Sequence, residues 1–173
     1  MKTFGVVGWS GSGKTTLVVK LLPELIGRGL KVSTMKHTHH NFDIDRPGKD
    51  SYEHRRAGAG EVLLASSARW ALLHEIRDNP EPDMDVLIGR MAPCDLVLIE
   101  GFKRHRHPKV EVYRAANGKA LLCGEDPTVL AVASDGPLPD APVPVLDLND
   151  VAGIADFIVE HCGLGGKSED GLV

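Results

Sequence analysis

The chain has 173 residues, a formal charge of −4, a sequence pI near 6.0, 42% hydrophobic residues and 25% charged ones. This is the composition of one ordinary globular domain with room for a core. No apolar run approaches the roughly 20 residues of a membrane span, and the acidic balance excludes a nucleic-acid binder of the bulk electrostatic kind, leaving room only for a local basic patch. Cys94, Cys123 and Cys162 are odd in number and widely spaced, so neither a disulfide framework nor a C-x-x-C metal site is suggested. With a start that leads straight into a strand and no signal peptide, the expectation is a soluble cytoplasmic protein with reduced thiols.

In chain order, Thr3-Phe4-Gly5-Val6-Val7 reads as a strand and is followed by Gly8-Trp9-Ser10-Gly11-Ser12-Gly13-Lys14-Thr15, which fits G-x-x-x-x-G-K-[ST]. A helix is predicted from about Lys14 to Arg28, with the stripe Leu17, Leu21, Leu25 and a stop at Gly29; Pro23 should bend it without breaking it. Leu30 to His37 is the second strand, implying a right-handed crossover and a parallel sheet. Thr38 to Lys49 dissolves into a polar loop, and Asp50 to Ala57 is a short helix. Glu61 to Ser66 and Arg69 to His74 are strand candidates for a hairpin or an edge extension. Met84 to Met91 is a short amphipathic helix.

Asp95 to Glu100 is nearly all apolar between its acids, as a strand buried on both faces reads. Lys109 to Arg114 alternates cleanly, Val129 to Ala133 is a central strand, and Val143 to Leu146 carries Pro144, which suits an edge. Asp150 to Cys162 is the last helix. The expected fold is α/β: a P-loop NTPase in three α/β/α layers around a mostly parallel sheet, with a possible antiparallel extension. Residues 1–162 are expected to form a single nucleotide-binding domain and 163–173 a flexible tail.

The strand, loop and helix around Gly8–Thr15 give the motif its chemistry. Glycines let the backbone wrap phosphate oxygens, so that N–H groups converge on them at the positive end of the helix. Lys14 adds a point charge for the terminal phosphates, and the Thr15 hydroxyl is placed for Mg2+. A bound nucleoside triphosphate follows. Glu100, at the carboxyl end of the buried strand, stands where the second Mg2+ carboxylate belongs, and Gly101 leaves room for its N–H to approach the terminal phosphate. Lys14 and Glu100 are the candidates for any catalysis.

Lys36-His37-Thr38-His39-His40 with Asp43 and Asp45 has three readings: anion or nucleotide contact, a solvated loop, or a transition-metal site. Lys103-Arg104-His105-Arg106-His107 is either a grip on a second phosphate-bearing ligand or a solvated basic loop. Asp135 can accept from guanine N1–H and the exocyclic amine together, but it follows a strand as turn aspartates do, and the chain has no Asn-Lys-x-Asp.

Three stretches carry a resemblance: Gly8 to Thr15, Met35 to Ser51, and Asp95-Leu96-Val97-Leu98-Ile99-Glu100-Gly101-Phe102-Lys103. They are similar to the molybdopterin-guanine dinucleotide biosynthesis adaptor family, MobB, and the likeness spans about residues 2 to 160. The second stretch is long and specific; the first is shared by many NTPases. The resemblance implies a GTP-binding adaptor in the last step of bacterial molybdenum cofactor maturation, where the partner MobA attaches GMP to molybdopterin. It also implies weak GTP hydrolysis and a homodimer. Carried across by position, Gly11, Ser12, Gly13, Lys14, Thr15 and Thr16 contact the nucleotide, while Thr15 and Glu100 serve Mg2+. Gly101, Asp135, His37, His39 and Arg104 complete the expected ligand contacts, the histidines and Arg104 toward molybdopterin. Two alternatives stand beside it, a metal-delivery GTPase and a small P-loop phosphotransferase.

Overall fold

A computed structural model describes residues 1–38 and 42–165; His39, His40 and the expected tail from Gly166 onward lie outside the described residues. The chain divides into two compact units, residues 1–37 with 92–173, and residues 38–91. In chain order the elements are β1 (Lys2–Val7), α1 (Lys14–Gly27), β2 (Val32–Lys36), α2 (Asp50–Arg56), β3 (Glu61–Ala65), β4 (Trp70–His74) and α3 (Met84–Gly89). They continue as β5 (Leu96–Glu100), β6 (Lys109–Tyr113), a 3-10 turn at Ala115–Asn117, β7 (Val129–Ser134), β8 (Val145–Asp147) and α4 (Val151–Cys162).

The first unit is built on a six-stranded sheet in the order β2-β5-β1-β6-β7-β8, with every pairing parallel. The chain leaves β1 for β2 on one side and returns to β6 on the other. The carboxyl end of β1 is therefore the switch point of the sheet, where open α/β sheets bind ligands. All five residues of β5 are buried, as its apolar run predicts. β8 is one edge of the sheet, and the Pro144 carbonyl accepts from Val132 N at 2.9 Å just before it begins. No described helix is long and apolar enough to cross a membrane.

Leu17, Leu21 and Leu25 of α1 and Ile154, Ala155 and Ile158 of α4 pack with Phe4, Val6, Leu96 and Leu98 in one core. α1 continues through Pro23, because burying that stripe outweighs one lost backbone hydrogen bond. A second cluster, Val7, Cys123, Val129 and Val132, is covered by Leu121, Leu122 and Tyr113. Here irregular backbone does the covering.

The alternation of Lys109–Tyr113 does not leave a wet face. Lys109 and Glu111 are fully buried, and each is compensated by hydrogen bonds. Lys109 Nζ donates to Asp126 Oδ2 at 2.8 Å, the His105 carbonyl at 2.7 Å and the Lys103 carbonyl at 3.1 Å. Glu111 accepts from the Leu122 and Cys123 N–H groups at 2.9 and 3.0 Å; burial pushes its carboxyl upward, and those donors pull it back. These two side chains tie segments 103–105 and 122–126 to the middle of the sheet.

Residues 101–108 join β5 to β6 without a helix, passing so close to β1 that a Cβ on Gly5 would collide with His107 and stand 2.8 Å from Lys109 Cβ. Gly5 is there for that approach. His107 is 4% exposed, and burial first, then Lys109 and His105, lowers its pKa to about 4. It is thus neutral near pH 7 and buried, so His107 belongs to neither a phosphate grip nor a solvated basic loop.

In the second unit β3 and β4 form an antiparallel hairpin with Leu63 opposite Leu72 and Ala65 opposite Trp70. Arg55 of α2 donates to Asp43 and Asp45 at 2.8 Å each and stands 3.4 Å from Glu75. Its pKa is raised, mainly by the Asp45 hydrogen bond. These two acids act as a clamp on Arg55.

Candidate functional site

The site grows from the turn between β1 and α1. Gly8, Gly11 and Gly13 have φ of 145°, 78° and 98°, conformations that side-chain-bearing residues resist. Gly8 is also sterically fixed: a Cβ there would collide with the Val112 carbonyl and stand 2.7 Å from Ser12 Oγ. Gly13 caps α1 in the left-handed region with no side-chain cap, and Leu17 N is the first to bond back, to the Gly13 carbonyl at 2.9 Å. The N–H groups of Lys14, Thr15 and Thr16 are thus the donors that a helix start leaves for a ligand. Ser12 is 1% exposed, and its Oγ has no hydrogen-bond partner among the described residues. A buried hydroxyl left unpaired costs about 1–3 kcal/mol, so the loop is built to receive a polar group.

Lys14 Nζ lies back across the loop on the Trp9 carbonyl at 2.9 Å. Its pKa is lowered, by burial first and then by Lys103, with Lys36 acting the same way and Glu100 opposing them. A cation held at a destabilised level gains from an arriving anion. Trp9 Nε1 donates to the Ala120 carbonyl at 2.9 Å, and Lys103 Nζ sits 4.3 Å from the indole centroid. That contact fixes one end of the basic run, whereas Arg104 and Arg106 are exposed.

Glu100 and Thr15 are brought together as expected. Thr15 Oγ1 donates to Glu100 Oε1 at 2.7 Å, and β5 beside β1 in register Val6↔Glu100 makes this contact. Two hard oxygens beside the phosphate loop suit Mg2+, which takes few protein ligands and fills its octahedron with phosphate and water. Thr15 and Glu100 would hold that ion. Lys36, the neighbour of Glu100 in β2, places Nζ 3.1 Å from Glu100 Oε1 and 3.4 Å from Thr15 Oγ1. It stands in the quoted histidine segment but not among the expected ligands.

Gly101 has φ of 96°, with His37 Cβ and the His37 carbonyl 3.2 and 3.3 Å from where its own Cβ would be. Its N–H, expected to face phosphate, donates instead to the Val6 carbonyl at 3.2 Å, lengthening the β1–β5 ladder. The His37 ring packs on Phe102 with centroids 4.6 Å apart and the planes tilted by 44°; Phe102 is a non-glycine residue at φ 50°. The ring rests against the strand end beside Glu100.

Asp135 is engaged by Arg114, which donates through Nη1 at 2.6 Å and through Nε to the Ser12 carbonyl at 3.2 Å. One arginine thus links the phosphate loop to the segment after β7. Gly13, Thr16, Lys20, Arg114, Leu148 and Asn149 line a small crevice beside it. Arg114 and Asn149 were missed from the sequence; the available signal was their place at the carboxyl ends of β6 and β8, which become neighbours of the loop only through strand order. Among the described residues no group of three or more His, Cys, Asp or Glu is arranged to hold a metal ion.

The family model of molybdopterin guanine dinucleotide synthesis protein B matches residues 3–135. The molybdopterin-guanine dinucleotide biosynthesis adapter protein of Escherichia coli (strain K12) is 49% identical over 157 residues, spanning 88% of each chain. That of Haemophilus influenzae is 45% identical over 157 residues, 89% of this chain and 85% of the relative. In structure the chain is similar to a MobB protein homolog from Bacillus stearothermophilus, with TM-score 0.71 and 27% identity over 95% of this chain and 99% of that one. A phosphate loop at the switch point of a parallel sheet and relatives this similar along most of the chain converge: the chain belongs to the molybdopterin guanine dinucleotide synthesis protein B family.

Proposed function

We propose that this protein is a GTP-binding adaptor that assists the attachment of GMP to molybdopterin, with the transfer itself performed by the guanylyltransferase MobA. The observation that carries the nucleotide part is the Thr15–Glu100 hydrogen bond beside a glycine loop whose helix-start N–H groups and buried Ser12 hydroxyl point to an anionic ligand. Gly11, Ser12, Gly13, Lys14, Thr15 and Thr16 take the phosphates, and Thr15 with Glu100 takes Mg2+. Asp135, positioned by Arg114, takes the guanine edge through whichever carboxylate lone pairs that ion pair leaves. Hydrolysis is slow at most, with Lys14 on the terminal phosphates and Glu100 acting through Mg2+ as the candidate groups. His37 and the exposed Arg104 offer the phosphate of molybdopterin its partners.

A homodimer suits the hairpin: Leu63, Trp70 and Leu72 are 62%, 68% and 41% exposed on one face of β3–β4, and contiguous exposed apolar surface on a small sheet favours burial by a partner. The adaptor reading is tested by adding the protein to MobA, GTP, Mg2+ and molybdopterin and measuring the dinucleotide formed. Stimulation by the wild type that Lys14→Ala removes is the expected outcome; equal product with and without the protein refutes it.

A further inference from the structure

Lys36 occupies a position that the nucleotide reading leaves unassigned. Its ammonium faces the same Glu100 and Thr15 oxygens that would ligate Mg2+, at 3.1 and 3.4 Å. The Thr15 hydroxyl donates its hydrogen bond to Glu100, so the hydroxyl lone pairs and the carboxylate converge on a single cation position, and Lys36 Nζ fills it. The Glu100 side chain is 11% exposed while that of Lys36 is 54% exposed. One partner is fixed in the sheet, and the other reaches in from solvent on a flexible stem. A mostly buried carboxylate without a counter-charge is costly. A tethered lysine removes that cost whenever the divalent ion is absent.

We propose that Lys36 is a resident counter-cation of the phosphate site, which holds Glu100 and Thr15 in their metal-ready arrangement and competes with Mg2+ for them. The proposal rests on the nucleotide reading above and deepens it by assigning the metal dependence of binding. Two consequences follow with opposite signs. Without Mg2+, Lys36 adds positive charge next to the triphosphate and helps retain it; with Mg2+, the same charge opposes the metal and must move away. The Mg2+ enhancement, meaning GTP affinity with excess Mg2+ divided by that in EDTA, is therefore held down by Lys36.

Calorimetry of the full chain with GTP, in excess Mg2+ and in EDTA, reads this ratio directly for wild type, Lys36→Met and Lys36→Arg. Lys36→Met should raise the ratio by about fivefold, the scale of one solvent-reachable ion pair, and should lower the Mg2+ concentration at half-effect. Lys36→Arg, which keeps the charge, should stay near wild type. An unchanged or smaller ratio in Lys36→Met overturns the proposal. Lys36→Gln supplies the same comparison should methionine disturb the strand end, with thermal melting as the check on folding. A wild type that binds no nucleoside triphosphate would overturn the nucleotide reading and this proposal together, whereas tight GTP binding with an unmoved ratio removes only the role of Lys36.

Discussion

His107 should make the protein lose stability in mild acid. The ring is 4% exposed against Gly5 and Lys109, and its pKa falls from 6.5 to about 4 because burial, and then the neighbouring Lys109 and His105, penalise the imidazolium. In the unfolded chain the same side chain takes a proton near pH 6.5. Between those values the unfolded state binds more protons than the folded one, so stability is intact above pH 6.5, declines as pH falls, and levels off below about 4 for this group. Each unit of separation is worth about 1.4 kcal/mol, giving about 3 kcal/mol across the window. Urea unfolding at several pH values between 7 and 4 measures it, with His107→Leu as the comparison. The variant should show a flatter profile, the gap between the two curves changing by about 3 kcal/mol from pH 7 to pH 4. Parallel curves would refute the assignment of a buried neutral imidazole.

Gly8→Ala should abolish nucleotide binding while leaving most of the sheet folded, because the new Cβ meets the Val112 carbonyl at a φ of 145°; calorimetry with GTP and circular dichroism together check both halves. Lys109→Met should cost about 2–3 kcal/mol in urea unfolding at pH 7, since Asp126 and two backbone carbonyls lose their buried donor. Leu72→Asp should shift the sedimentation of a dimer toward monomer by placing a charge on the exposed face of the hairpin, and an unchanged sedimentation coefficient would remove β3–β4 from the interface.

Much of the fold is legible in the sequence because its elements announce themselves locally. The four apolar residues of β5, the Leu17, Leu21, Leu25 stripe and the glycine loop each follow from periodicity or turn chemistry, and their neighbours in space confirm them. Thr15 and Glu100 are readable for the same reason: each sits at a strand or helix end whose place in an open parallel sheet is known in advance. Lys109 and Glu111 are not. Their alternation with valines is what a half-exposed strand shows, and only the non-local partners Asp126, Leu122 and Cys123 allow these charges to be buried. Arg114 is hidden in the same way, and Lys36, legible only as part of a polar stretch, meets Glu100 and Thr15 because strand order sets it beside the loop. The Gly101 N–H donates to the Val6 carbonyl, because the β1–β5 ladder extends one residue further than the strand pattern shows.

The proposed GTP selection rests on Asp135, which Arg114 engages beside the phosphate loop. Calorimetry of the wild type and Asp135→Ala with GTP and with ATP, each with Mg2+, tests it most directly. The wild type should prefer GTP by about tenfold or more, the worth of one charge-assisted hydrogen bond, and Asp135→Ala should lose that preference while still binding both nucleotides. Equal affinity of the wild type for GTP and ATP would contradict it.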